Sequence, residues 1–275
     1  MIVFPNAKIN IGLHVVSKRP DGYHNLETVF YPVTLSDVLE MAETGKTEIT
    51  FSGLPVDGVP QENLVLKAYR LLKVDFNLPP VQFHLHKVIP TGAGLGGGSS
   101  DAAFTLKMLN TYFKLNLSKD RLKEYAVRLG ADCVFFLENK PVFAEGIGDV
   151  LKPIDLDISQ YEIVLIKPEV SVSTKQAYEN IKPVKPEFYL TKLSAFPVEN
   201  WKNLVINDFE KSIFLQFPEI KRWKEILYES GAIYASMSGS GSALYGIFRQ
   251  IPKDLDDKIP ASFILTQQYQ IIKVV

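Results

Sequence analysis

The sequence predicts an α+β fold in two lobes. Segments with the period of a strand and segments with the period of a helix interleave along the chain, without the strict βαβ alternation of a parallel α/β sheet. Its 275 residues, 46% hydrophobic and 22% charged, suffice for one large domain or two ordinary ones around a sizeable core. A join near residues 155 to 160 divides the chain into 1–158 and 159–275.

Ile9, Ile11, Leu13 and Val15 alternate with Lys8, Asn10, Gly12 and His14, which predicts an early strand that buries one side and offers Lys, Asn and His on the other. Arg19-Pro-Asp-Gly22 reads as a turn, with Tyr23 and His24 just beyond it, and Thr28 to Val33 returns as a strand. Glu62 to Val74 carries the helical pattern Leu64, Ala68, Leu71, Leu72, and the Pro79-Pro80 break precedes a strand in which Val81, Phe83 and Leu85 alternate with Gln82, His84 and His86. A helix follows through Ala102, Ala103, Leu106 and Leu109. Ser118 is an N-cap candidate for the next helix, which Gly130 stops at Leu129. Val142–Glu145 and Ile163–Ile166 read as strands, Ile181 to Pro197 is Pro-rich with few periodic apolar positions, and Asp208–Phe217 and Pro218–Glu229 read as helices. Apolar strands at Ala232–Met237 and Ala243–Phe248 flank Ser238-Gly-Ser-Gly-Ser242, a small-residue turn that approaches either a ligand or another backbone.

Lys plus Arg number 30 against 31 for Asp plus Glu, so no global field favours nucleic acid or an anionic membrane as partner. The single cysteine, Cys133, excludes an intramolecular disulfide and suits a reducing cytoplasm. No apolar run reaches the length of a membrane span, and Met1 to Lys8 lacks the pattern of an export signal, so a cytoplasmic location is expected.

Pro90 to Ala103, Pro-Thr-Gly-Ala-Gly-Leu-Gly-Gly-Gly-Ser-Ser-Asp-Ala-Ala, runs from the end of a strand into a helix. Glycines let successive backbone N–H groups turn toward one centre, and the helix start adds unpaired donors and the positive end of its dipole, so an anion is the natural occupant. A Walker loop would need Lys followed by Ser or Thr after the last glycine, but Ser99 and Ser100 follow Gly98. Gly92, Gly94 and Gly97 match a Rossmann fingerprint by letters only, because the loop opens no first βαβ unit and no acidic residue ends a strand about 20 positions later.

With Ala7-Lys-Ile-Asn10 before it and Met237-Ser-Gly-Ser-Gly-Ser-Ala243 after it, this loop resembles the glycine motif of the galactokinase, homoserine kinase, mevalonate kinase and phosphomevalonate kinase (GHMP) superfamily. The resemblance spans roughly residues 5 to 248. It implies a two-lobed GHMP kinase fold with the active site in the interlobe cleft. Arg19-Pro-Asp-Gly-Tyr-His24, Leu129-Gly-Ala-Asp132 and Phe143-Ala-Glu-Gly-Ile-Gly148 narrow it to the branch that phosphorylates the 2-hydroxyl of a cytidylated polyol with ATP and Mg²⁺, on the non-mevalonate route to isoprenoid precursors. One departure is that Cys133-Val134 follows Asp132 where the family usually has Val-Pro.

The resemblance implies that Asp132 is the general base and Lys8 its cationic partner, stabilising charge on the transferring group. Pro90, Gly92, Gly94, Leu95, Gly96, Gly97, Gly98, Ser99 and Ser100 are implied to bind the ATP phosphates, one of the two serines reaching phosphate or Mg²⁺, with Asn63 and Lys87 at the nucleoside. Tyr23 and Tyr178 are implied to sandwich the cytosine with His24 on its edge, and Asn10 to reach the polyol. Another GHMP kinase, for mevalonate or homoserine, is the alternative, as is a regulator that binds ATP and transfers nothing. No protein metal ligand is assigned: His84 and His86 share a strand face, but no third ligand has a supporting spacing. Cys133 reads as a small buried thiol rather than a nucleophile.

Overall fold

In the computed structural model, residues 1–179, 181–260 and 264–266 are described. Along the chain run β1 (Ile2–Val3), β2 (Asn6–Lys18), β3 (His24–Ser36), β4 (Val38–Glu43), β5 (Glu48–Gly53), α1 (Leu64–Phe76), β6 (Val81–Lys87), α2 (Gly97–Tyr112), α3 (Lys119–Leu129) and α4 (Cys133–Glu138). Then follow β7 (Val142–Glu145), β8 (Val150–Pro153), β9 (Glu162–Ile166), α5 (Thr174–Glu179), α6 (Phe209–Gln216), α7 (Pro218–Glu229), β10 (Tyr234–Met237), β11 (Leu244–Phe248), α8 (Leu255–Lys258) and β12 (Ile264–Thr266).

Contacts group these elements into two units that are not contiguous in sequence: Met1–Ala7, Leu35–Thr91 and Gly96–Lys140 form one, and Lys8–Thr34, Gly92–Leu95 and Pro141–Val275 the other. A division by compactness thus differs from a single cut near residue 158, because the chain passes between the units several times.

In the first unit the sheet order is β1-β4-β6-β5, with β4 antiparallel and β5 parallel to β6. The strands β4 and β5 carry few consecutive apolar residues, so the sequence pattern leaves them unmarked; pairing with β6 makes them. Asn63 caps α1 by accepting from the Val65 N–H at 2.9 Å, and Ser118 caps α3 by accepting from Arg121 N–H at 3.3 Å, as its position predicts. The α2 helix starts at Gly97, earlier than its apolar spacing marks, and its N-cap is Gly96 in the left-handed region.

The second unit holds two sheets, of order β2-β3-β7-β8 and β10-β11-β9-β12. Its core joins Leu13 and Val15 of β2 to Val164 and Ile166 of β9, Phe209 and Ile213 of α6, Ile220 and Leu227 of α7, and Leu244 and Phe248 of β11. The two helices expected at 208–229 are α6 and α7, which break at Phe217 where Pro218 opens the second. The strand β2 differs from its expectation. Both of its faces are buried from Asn6 to Val15, including Lys8, Asn10 and His14; Lys8 and Asn10 find hydrogen-bond partners inside the protein, whereas His14 Nε2 is buried without one.

Candidate active site

The glycine stretch alternates open backbone with side chains turned inward. Gly92, Gly94 and Gly96 have φ of 65°, 81° and 71°, whereas Ala93 and Leu95 are buried. The first bond into the helix is Ser100 N–H to Gly96 O at 2.9 Å, so the N–H groups of Gly97, Gly98 and Ser99 are the orphan donors of the helix start. Gly96 has no side chain to cap them and no acidic residue stands in the first turn, which leaves the positive end of a 16-residue helix for an anion. Ser99 is therefore inside the helix and is not its N-cap. The hydroxyl of Ser100 is sealed in the interior without a partner, while Ser99 is partly exposed.

In the second unit, Lys8 Nζ donates to Asn10 Oδ1 at 2.6 Å and lies 4.8 Å from the centre of the Phe30 ring. Asn10 Nδ2 in turn donates to Thr28 Oγ1 at 3.0 Å, and that hydroxyl to Gly12 O. The alternation of β2 put Lys8 and Asn10 on one face; β3 supplies Phe30 and Thr28 to fix them there. The Lys8 N–H donates to Leu95 O at 3.0 Å, tying the lysine strand to the glycine stretch.

The turn Ser238–Ser242 approaches another backbone, that of Gly94. Ser238 Oγ donates to Gly94 O at 2.9 Å and accepts from Asn10 N–H at 3.2 Å, and Ala243 N–H donates to Ala93 O at 3.2 Å. Asn207 clamps the turn from below, its Nδ2 donating to Met237 O at 2.9 Å and Gly239 O at 2.8 Å. Ser238 and Asn207 were not singled out from sequence; the regular small-residue repeat marks the turn, but nothing local marks Asn207.

His24 and Tyr178 come together, their rings stacked with centroids 4.9 Å apart at 23°. Phe209 meets Tyr178 edge-on at 4.8 Å. Burial, with a smaller push from Lys18, holds the His24 imidazole below its ordinary pKa, so at neutral pH one ring nitrogen donates and the other accepts. Tyr23 is 65% exposed. The arrangement differs in one respect from the sandwich expected: His24 covers a face of Tyr178, and a base stacking on that face requires the imidazole to turn aside.

Asp132 precedes α4 and makes no side-chain cap bond to it. Position 134 falls in the first turn of this helix, where an N–H has no intrahelical partner, so Val134 builds the same start that proline would. Cys133 is fully buried, and burial pushes its thiol up to about 12, opposed by a hydrogen bond with Ser99. It is not a nucleophile at neutral pH.

Residues 63–140 match the GHMP kinases N terminal domain and residues 197–269 the GHMP kinases C terminal domain. A 4-diphosphocytidyl-2-C-methyl-D-erythritol kinase from Bacteroides fragilis is 56% identical over 252 residues, covering 90% of this chain and 92% of the relative. The chain belongs to the 4-diphosphocytidyl-2-C-methyl-D-erythritol kinases. The kinase of that name from Porphyromonas gingivalis is 47% identical over 92% of this chain and 94% of its own length. A crystal structure of 4-(cytidine 5'-diphospho)-2C-methyl-D-erythritol kinase matches at a TM-score of 0.78 and 33% identity, covering 90% of each chain. Mevalonate kinase from Methanococcus jannaschii, at a TM-score of 0.68 and 16% identity, shares the fold.

This kinase is thus a small-molecule phosphotransferase with ATP as co-substrate. Among the residues expected at the nucleoside, Asn63 spends its Oδ1 on capping α1, beside Gly98, whose added Cβ would lie 3.6 Å from Leu64 Cδ1. Lys87 is 2% exposed and donates to Asp37 and, at 2.9 Å, to Asp101. His84 is hydrogen-bonded at both ring nitrogens, to Thr50 Oγ1 and Ser52 Oγ at 2.8 Å each, and His86 Nδ1 meets the same Ser52 hydroxyl at 2.9 Å. Among the described residues no group of three or more His, Cys, Asp or Glu side chains is placed to hold a metal ion, and no helix is long and apolar enough to cross a membrane.

Proposed function

We infer that this kinase transfers the γ-phosphoryl group of ATP to the 2-hydroxyl of 4-diphosphocytidyl-2-C-methyl-D-erythritol, a step on the non-mevalonate route to isoprenoid precursors. The observation that carries the acceptor is the stacked His24–Tyr178 pair, since mevalonate and homoserine bring no base for such rings to hold. ATP phosphates fit the orphan N–H groups at the start of α2. Ser99, partly exposed at that helix start, suits a hydroxyl contact with phosphate or Mg²⁺ better than the sealed Ser100.

Phosphoryl transfer asks a protein chiefly to position the acceptor and to neutralise charge. In this reading Asp132 takes the proton of the acceptor hydroxyl. Lys8, pre-oriented by Asn10 and Phe30, compensates charge on the transferring group. Mg²⁺, held mainly by the nucleotide phosphates and water, supplies further charge neutralisation when bound. Residues 1–158 form an N-terminal kinase domain with the loop, Lys8 and Asp132, and 159–275 a C-terminal domain. Near-zero net charge and a single buried cysteine support a cytoplasmic enzyme with no nucleic-acid or membrane partner.

A coupled ADP-release assay is expected to give turnover with the cytidylated polyol and none with mevalonate or homoserine. Turnover with either of those would transfer the chain to another GHMP activity, and ADP from none of the three would favour a regulator. For the base site, Tyr178→Ala is expected to raise KM for the cytidylated substrate about tenfold, the loss of one stacking contact. KM for ATP should stay unchanged; an equal rise in both would remove Tyr178 from the base site.

A further inference from the structure

Lys87 closes β6 and Asp101 lies in the second turn of α2, so they flank the glycine stretch in sequence. In the structure they meet at one buried point. Lys87 Nζ donates to Asp101 Oδ2 at 2.9 Å and to Asp37 Oδ2, and all three residues are at most 3% exposed. Asp37 Oδ1 accepts from the N–H groups of Val88 at 2.6 Å and Ile89 at 2.8 Å, the last residues before Pro90. A Cβ added to Gly97 would lie 2.8 Å from Ile89 Cγ2 and 3.0 Å from Lys87 Nζ, so the first residue of α2 rests on the same group. The strand that enters the loop and the helix that leaves it are fastened to one ion cluster.

One ammonium faces two carboxylates there. Asp37 has two backbone donors besides the lysine, whereas Asp101 has the lysine alone and its Oδ1 is buried without a partner. Burial accordingly pushes the Asp101 carboxyl up to about 7, with Lys87 pulling down and Asp37 pushing up. The ammonium of Lys87 is committed to these two buried carboxylates.

We infer that Lys87 and Asp101 are positioning residues for the phosphate loop, fixing its two ends so that the Gly97–Ser99 donors are aligned before the nucleotide arrives. This rests on the reading of the loop as the ATP phosphate site. Fixing a glycine-rich segment costs conformational entropy, and a clamp at both ends removes part of that cost from binding. Lys87 then serves ATP without touching it.

Steady-state kinetics of Asp101→Leu and Asp101→Asn at pH 8 test this. The leucine keeps the branching at Cγ, with larger methyls, and removes the acceptor, so KM for ATP should rise about tenfold, the worth of one hydrogen bond to a charged group. Turnover number and KM for the cytidylated substrate should hold within about twofold. Asparagine, whose amide oxygen still accepts from Lys87, should recover most of the loss. If Lys87 were instead a nucleotide ligand, removing Asp101 would free its ammonium and KM for ATP would fall; a fall or no change in a folded variant overturns the inference. Amide hydrogen exchange of ligand-free Asp101→Ala, which removes the acceptor and adds no bulk, gives an arm independent of leucine being tolerated: faster exchange confined to residues 90–97 is expected, and exchange identical to wild type overturns the inference. A wild-type protein that binds no ATP would defeat the reading of the loop and leave the exchange result standing.

Discussion

Asp132→Asn is expected to lower the turnover number about 10³-fold, a loss of about 4 kcal/mol of transition-state stabilisation, in the range removed with a general base. Asparagine has the shape of aspartate and cannot take a proton at neutral pH. The backbone tolerates the change, since Asp132 has φ −68° and ψ −17°, a conformation open to either residue. KM for ATP should stay near wild type, which places the loss in the chemical step. Turnover within tenfold of wild type would remove Asp132 from proton transfer and leave Lys8 and the helix start to carry the reaction by charge alone.

What the sequence made legible was local. The alternation from Lys8 to Val15 placed Lys8 and Asn10 on one face of a strand, and residues two apart on one face are the pair that hydrogen-bonds. That the same face would be buried was not legible, because Thr28, Phe30, Ser238 and Tyr245, which close over it, come from strands and a turn remote in sequence. The α2 helix start was not marked by apolar spacing for a related reason. Apolar spacing begins at Ala102, but Gly97 to Ser100 already turn helically, carried by packing of Gly97 against Ile89 and not by intrinsic propensity.

Charge partners were the least legible. The resemblance implies Lys87 at the nucleoside, but its partner Asp37 lies 50 residues upstream and it is the β4–β6 pairing that brings the two strands' ends together. Asp101 stood inside the quoted motif without a role, because nothing in a linear pattern says which way a helical carboxylate turns. His24 and Tyr178 fell between these cases: their residue types suit a pyrimidine, and it is α5 packing on α6 through Phe209 that sets the tyrosine against the histidine.

The glycines of the loop are not equivalent, and Gly94→Ala against Gly92→Ala separates two reasons for glycine. Both residues are left-handed, at φ 81° and 65°, so alanine costs about 1–2 kcal/mol at either. A Cβ on Gly92 would meet nothing within 4 Å, whereas one on Gly94 would lie 2.0 Å from Ser238 O and 2.9 Å from Ser238 C. Those are backbone atoms of a turn that Asn207 holds at both Met237 O and Gly239 O, so the turn cannot yield cheaply. The loop must move instead, breaking the Ser238 hydroxyl bond to Gly94 O and with it the brace shared with Asn10. Gly94→Ala is accordingly expected to raise KM for ATP by about 100-fold or more, the equivalent of about 3 kcal/mol, with a depressed melting temperature. Gly92→Ala should change KM for ATP less than about 30-fold, the ceiling set by about 2 kcal/mol of local strain. Equal effects of the two substitutions would mean that left-handed backbone alone selects glycine here, and that the contact between loop and turn contributes nothing to nucleotide binding.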